Sequence, residues 1–289
     1  MVERDAQISA EQVTTRVHRI TVGEGAFVGV YAPNVYLVLG DGKAAFIDTA
    51  YGKDDEVRAQ LGAWEALGSP PVAGIILTHR HGDHIGGAVR LHEATGGPIL
   101  TSYEERAAVD AGLTGGKVGR VVRSGDTLDL GGATLEFIET PGHTLGSLCI
   151  YLREDSVLFS GDMILGTGTT VISPDHGDMR LYIESLRGLL DYHAAVIAPG
   201  HGPEIYAANA KIQSLIDHRL DREAQLLRLI GEGKHTIGEL FQAVYPELHP
   251  GLHDTARSQI RAHFNKLEQD GGVQMNREGL WSVRESRPS

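Results

Sequence analysis

Cysteine is nearly absent: Cys149 is the only one among 289 residues, so neither an intramolecular disulfide nor a thiolate zinc cage can form. It lies within Ser147-Leu148-Cys149-Ile150-Tyr151-Leu152, an apolar strand pattern in which a thiol behaves as a small buried hydrophobe rather than a nucleophile. No apolar run approaches the roughly 18 residues of a membrane span. Met1-Val2-Glu3-Arg4-Asp5-Ala6-Gln7 also lacks the basic and then apolar order of a secretion signal. A cytoplasmic protein with no membrane partner is therefore expected. Positive charge is short as well, with 26 Lys and Arg against 38 Asp and Glu and a formal net charge of -12. Such a surface does not draw polyanions as a basic nucleic-acid binder does. From Lys211 onward eleven basic residues face eleven acidic ones, so the whole excess lies in the first 210 residues.

Histidine and glycine are where the chain concentrates its chemistry. Thr78-His79-Arg80-His81-Gly82-Asp83-His84 packs three imidazoles and a carboxylate into six positions. It follows the apolar run Ala73 to Leu77, which has the length of a buried strand, and precedes a helix start near Gly87. Imidazole nitrogen and carboxylate oxygen suit zinc, and also iron or manganese. In this spacing His79 and His81 can turn to one ion while Asp83 and His84 reach another. Further on, His143 in Thr140-Pro141-Gly142-His143, Asp162 in Ser160-Gly161-Asp162 and His201 in Pro199-Gly200-His201-Gly202 each end a strand beside glycine. Singly, a Gly-flanked His or Asp is more often a turn residue. Taken together they are enough to complete two coordination shells.

Strand patterns are expected at 17–22, 28–31, 34–39 and 44–49, then a helix at 54–67, the strand before the histidine loop, a helix at 87–94, a strand at 98–101 and a helix at 103–111. Strands at 118–122, 127–130, 134–138, 147–152 and 157–162 follow, with Asp178 as N-cap of a helix to Leu190 and a strand at 195–198. The order predicts an α/β fold, an αββα sandwich of two mixed sheets with helices outside, over residues 1–209. Over 210–289 a long charged amphipathic helix leads to a winged-helix unit: Thr236-Ile237-Gly238-Glu239 as a capping box, a helix from about His253 to Gln269, and a hairpin at 273–275 and 280–283.

These stations resemble those of a metallo-β-lactamase-fold hydrolase, over roughly residues 17 to 205. The resemblance implies two divalent metal ions, zinc foremost. His79, His81 and His143 would hold the first, Asp83, His84 and His201 the second, and Asp162 would bridge them. Asp48 would be an orienting carboxylate. A hydroxide held between the ions would attack a carbonyl or phosphorus centre, with Asp83 as proton acceptor and His176 or Tyr182 assisting substrate binding. Gly161 to Val171, the helix with Tyr182 and Ser185-Leu186, Pro199 to Pro203, and His263 to Glu268 are similar to one subfamily, typified by an endoribonuclease whose members carry a C-terminal winged helix. The loop Ser173 to Gly177 departs from it.

The expected activity is thus metal-dependent hydrolysis, with a single-stranded RNA phosphodiester as one substrate and a small-molecule thioester, ester or lactone as the alternative. An iron redox member of the fold and a non-catalytic winged-helix regulator are the competing classes. The regulator would be expected to have lost metal ligands, and all seven are present. The balanced charge of the tail favours a packing wall or a homodimer contact over nucleic-acid binding.

Overall fold

The computed structural model describes residues 10–22 and 32–284. The expected strand at 28–31 lies outside them. The chain divides into two compact units. The first comprises residues 1–140, 146–169 and 193–208, and the second 141–145, 170–192 and 209–289. The sequence break at 209/210 falls at the start of the long helix. Two earlier segments, Pro141–Leu145 and Thr170–Tyr192, group with the tail.

The first unit opens with β1 (Ala10–Gln12), β2 (Val17–Thr21), β3 (Asn34–Leu39) and β4 (Ala44–Ile47), followed by α1 (Asp54–Ala66), β5 (Val72–Ile76), α2 (Gly82–Ile85), α3 (Ala88–Thr95), β6 (Ile99–Ser102), α4 (Arg106–Gly112) and β7 (Arg120–Val122). These seven strands form one mixed sheet in chain order, antiparallel from β1 to β4 and parallel from β4 to β7. A second sheet holds β8 (Thr127–Asp129), β9 (Thr134–Glu139), β10 (Leu148–Leu152), β11 (Val157–Gly161) and β12 (Val196–Pro199), with only the β11–β12 pair parallel.

The period-two alternation of β3 explains the layering. Tyr36 and Val38 pack with Leu135, Phe137, Ile150 and Phe159 of the second sheet, while Val35 and Leu37 pack with Val57 of α1, Leu91 of α3 and Val109 of α4. Burying Phe46, Phe137 and Phe159 fully contributes about 1.5–3 kcal/mol each. Two elements were not legible in the sequence. β1 is short and polar and pairs only with β2. α2 is one turn built from the histidine motif itself, with His81 at its N-cap.

In the second unit, α5 (Met179–Leu189) starts at Asp178, whose side chain accepts a hydrogen bond from Leu181 N at 2.9 Å. α6 (Ala208–Gly231) is followed by α7 (Ile237–Val244), α8 (His253–Gln269), β13 (Val273–Met275) and β14 (Trp281–Val283). The capping box of α7 is formed by Thr236 and Glu239, and a core of Leu226, Leu240, Phe241, Ile260, Phe264 and Trp281 closes the winged helix.

Candidate metal centre

The site is built where parallel strands end. After β4 the chain turns at Asp48, whose φ of 59° is a left-handed conformation tolerated by a short polar side chain. The turn points its buried carboxylate at the next strand's exit. Asp48 Oδ1 accepts from Thr78 N at 2.8 Å, and Oδ2 from the Thr78 hydroxyl at 2.9 Å. His84 Nδ1 lies 2.7 Å from the same Oδ2. A carboxylate can only accept, so His84 carries its proton on Nδ1 and presents Nε2.

His84 Nε2 is buried and makes no hydrogen bond, yet it faces Asp162 Oδ1 at 3.5 Å and Asp83 Oδ2 at 3.9 Å. A buried imidazole nitrogen facing two carboxylates calls for positive charge between them, supplied by a proton on the ring or by a metal ion. Burial by itself lowers the His84 pKa, but the charges of Asp48 and Asp162 outweigh it and push the value up to about 10. His201 Nε2 faces the same two carboxylates, 3.3 Å from Asp83 Oδ2 and 3.5 Å from Asp162 Oδ1. At Asp83 burial raises the carboxyl pKa, but the hydrogen bond from His201 and the charges of His84 and His201 prevail and hold it well below the usual carboxylate range. Asp83, His84 and His201 each offer one ligand atom within 4.8 Å of the others.

A second set lies beside the first. The Thr78 hydroxyl donates to Asp48, so its oxygen is left to accept from His79 Nδ1 at 3.0 Å, which turns His79 Nε2 outward. That nitrogen is 3.0 Å from His81 Nδ1, close to the ~3.3 Å that separates two nitrogens of one tetrahedral zinc. Asp162 belongs to this set while facing the other, so the two sets share it. His143, the remaining expected ligand of this set, stands on the Pro141–Leu145 segment of the second unit. Its Nδ1 lies 2.7 Å from Val171 O and 3.2 Å from Thr170 Oγ1. The donors, imidazole and carboxylate without thiolate, fit borderline divalent ions.

Two glycines are required by close approach. A Cβ on Gly200 would meet Asp162 Oδ1 at 2.6 Å and His84 Cε1 at 2.9 Å. Gly161, at φ 47°, would put its Cβ 2.7 Å from Thr78 Oγ1. Sequence reasoning did not find several supports. Asn34 Nδ2 donates to Pro199 O at 2.9 Å and Gly202 O at 2.8 Å, and Tyr36 Oη donates to Pro199 O at 2.9 Å, fixing the His201 turn. Glu105, fully buried, accepts from Arg80 Nε at 2.6 Å and from Arg80 Nη2 at 3.1 Å, and also from Gly146 N at 3.1 Å. The one signal that could have found any of them is a lone amide opening an apolar strand, as at Asn34, since a buried amide needs a fixed partner. Of the expected substrate contacts, His176 is half-buried. Tyr182 is fully buried, with the Arg219 guanidinium 5.3 Å from its ring centroid, so it packs within the second unit.

Residues 28–201 match the metallo-beta-lactamase superfamily, and residues 236–281 match the beta-lactamase associated winged helix domain. The chain belongs to the metallo-beta-lactamase superfamily. As a member it is an enzyme, a metal-dependent hydrolase, with the superfamily's mixed α/β fold and a C-terminal winged helix. It is 30% identical to a beta-lactamase-like protein 2 homolog of Caenorhabditis elegans, over 91% of this chain and 88% of that protein. It is 28% identical to an atrochrysone carboxyl ACP thioesterase of Aspergillus fumigatus, over 82% of this chain and 75% of that protein. A beta-lactamase domain protein from Burkholderia ambifaria superposes with a TM-score of 0.81 at 22% identity, covering 96% of this chain and 94% of that one, a likeness of fold alone. No helix among the described residues is long and apolar enough to cross a membrane.

Proposed function

We propose that this superfamily member hydrolyses an acyl thioester, or a related ester or lactone, at a centre of two zinc ions, in the cytoplasm. The observation that carries the reading is Asp162 Oδ1, 3.5 Å from both His84 Nε2 and His201 Nε2 and grouped with His79 and His81. One carboxylate shared by two imidazole sets is the donor pattern of a paired site. His79, His81 and His143 would hold the first ion, Asp83, His84 and His201 the second, and Asp162 would serve both. When bound, the pair lowers the pKa of a water toward neutrality and polarises a carbonyl oxygen.

The protein's own groups do the rest. Asp48 and Thr78 fix the tautomers of His84 and His79, so each nitrogen meets its ion without reorganisation. Asp83, whose Oδ2 lies 3.3 Å from His201 Nε2, is the proton acceptor of this reading. The acidic first 210 residues disfavour a polyanionic substrate, and relatives named as acyl carrier thioesterases support an acyl substrate. A second reading, single-stranded RNA phosphodiester cleavage, draws on the winged helix, where Arg257 and Arg261 lie four apart on α8. Arg257 is engaged with Asp254 at 3.1 Å and Phe241 at 4.7 Å, which leaves this reading second.

The test is a panel of acyl thioesters, lactones and labelled single-stranded RNA with the wild type and Asp83→Ala. Metal-dependent thioester or lactone turnover that the substitution removes supports the proposal. Cleavage of RNA with acyl substrates untouched replaces it with the second reading, and no metal-dependent turnover on any substrate sinks both.

A further inference from the structure

We propose that Arg219 on α6 and Gln259 on α8 are positioning residues for His143, so that the winged-helix tail sets the tautomer and aim of one metal-ligating imidazole. This rests on reading His143 as a ligand. His143 Nδ1 lies 2.7 Å from Val171 O, and a carbonyl can only accept. The proton therefore sits on Nδ1, and Nε2 keeps the lone pair a metal needs. The quality of that ligand depends on where the Val171 carbonyl is held.

Val171 belongs to a stretch that joins no strand ladder, so nothing in a sheet fixes it. The two carbonyls that flank it are taken up by side chains of the tail. Arg219 Nη2 donates to Thr170 O at 2.7 Å. Gln259 Nε2 donates to Ile172 O at 2.8 Å. Arg219 Nη1 donates to Gln259 Oε1 at 3.3 Å, which fixes the amide orientation that lets Gln259 donate onward. The middle carbonyl is left to face His143, and the Thr170 hydroxyl lies 3.2 Å from the same Nδ1.

This clamp is costly as a purely structural device. Arg219 is only 3% exposed. Its hydrogen bonds go to a carbonyl and an amide oxygen rather than a carboxylate, and its Nε has no partner. The ring of Tyr182, 5.3 Å away, covers the guanidinium. A buried cation held this way is a poor source of stability compared with an apolar side chain of similar volume. Its value lies in geometry, since two fixed carbonyls define the third.

The experiment uses the full chain as wild type, Arg219→Met, Arg219→Lys, Gln259→Leu and His143→Ala. Zinc stoichiometry and affinity are read by chelator competition, and ligand geometry by the visible absorption of the cobalt(II)-substituted protein. Circular dichroism checks folding. Arg219→Met is expected to weaken one ion about 10-fold and to move the same cobalt bands as His143→Ala. Arg219→Lys, which keeps a donor for Thr170 O, recovers part of both. If Arg219→Met does not fold, Gln259→Leu carries the comparison with the same expected shift. Wild-type affinity and an unchanged spectrum in a folded Arg219 or Gln259 variant, with His143→Ala defective, overturn this inference alone. Wild-type metal content in His143→Ala overturns the ligand reading and the inference with it.

Discussion

His84 and His143 each turn Nδ1 to an acceptor, but by different means. His84 gives its Nδ1 proton to the Asp48 carboxylate at 2.7 Å, a partner delivered by the neighbouring parallel strand and itself held by Thr78. His143 gives its proton to a main-chain carbonyl on a segment without a ladder, whose flanking carbonyls are held by helices of the tail. The first support is electrostatic and internal to the sheet, and one side chain carries it. The second is neutral at the contact and spread over backbone and two distant side chains. A charged acceptor makes the stronger hydrogen bond and raises the basicity of its imidazole, so the two ligands should respond unequally to damage.

Stripping metal tests whether both histidines serve one chemistry, and it has the largest expected effect. Thioester turnover should fall to the uncatalysed rate after chelation and return on adding zinc, and persistence of turnover would break the comparison at its root. Gly200→Ala comes next. Its Cβ would press on Asp162 and His84, and activity should drop about 100-fold, as expected for a misplacement near 1 Å. Normal activity would show that the His84 set is not held tightly. Asp48→Asn keeps the shape but not the charge beneath His84 and should weaken metal binding about 10- to 100-fold. If its effect is smaller than that of Arg219→Met, the ranking of the two supports is wrong.

Thr236→Ala removes the cap of α7, a helix that carries neither clamp residue, and should lower stability by about 1 kcal/mol in thermal unfolding with metal affinity unchanged. A change in affinity would mean that the whole winged helix, and not the clamp alone, supports His143. Thiol labelling has the smallest expected signal. Burial pushes the Cys149 thiol up to about 12, against a small opposing hydrogen bond with Thr140. At about pH 8 the native protein should show no reactive thiol and the denatured chain one.

The histidine loop was readable because four donors within six positions are rare without a ligand, and strand-end glycines flagged Asp162 and His201. Asp48 was expected as an orienting carboxylate; its Oδ1 accepts from Thr78 N and its Oδ2 lies 2.7 Å from His84 Nδ1. The capping box and the hairpin of the tail were readable because their signals are local. Glu105 and Asn34 were not nominated, because each acts on backbone or side chains distant in sequence and no spacing rule links them. Arg219 and Gln259 read as ordinary polar positions of charged amphipathic helices, and only their burial sets them apart. Tyr182 was named with the helix that resembles the subfamily, and in the structure it is buried on α5.

By itself the sequence determined which atoms can bind metal, where strands end in tight turns, and which face of each strand is apolar. These follow from side-chain chemistry, glycine and periods of two and 3.6, all of which act over a few residues. Tertiary structure alone decided that Asp162 stands between two imidazole sets, that Asp48 selects the tautomer of His84, and that a carbonyl steadied from α6 and α8 selects that of His143. Each of these is a hydrogen bond or a charge contact across 27 or more residues, and its strength depends on burial and angle, which exist only once the sheets and helices have closed on one another.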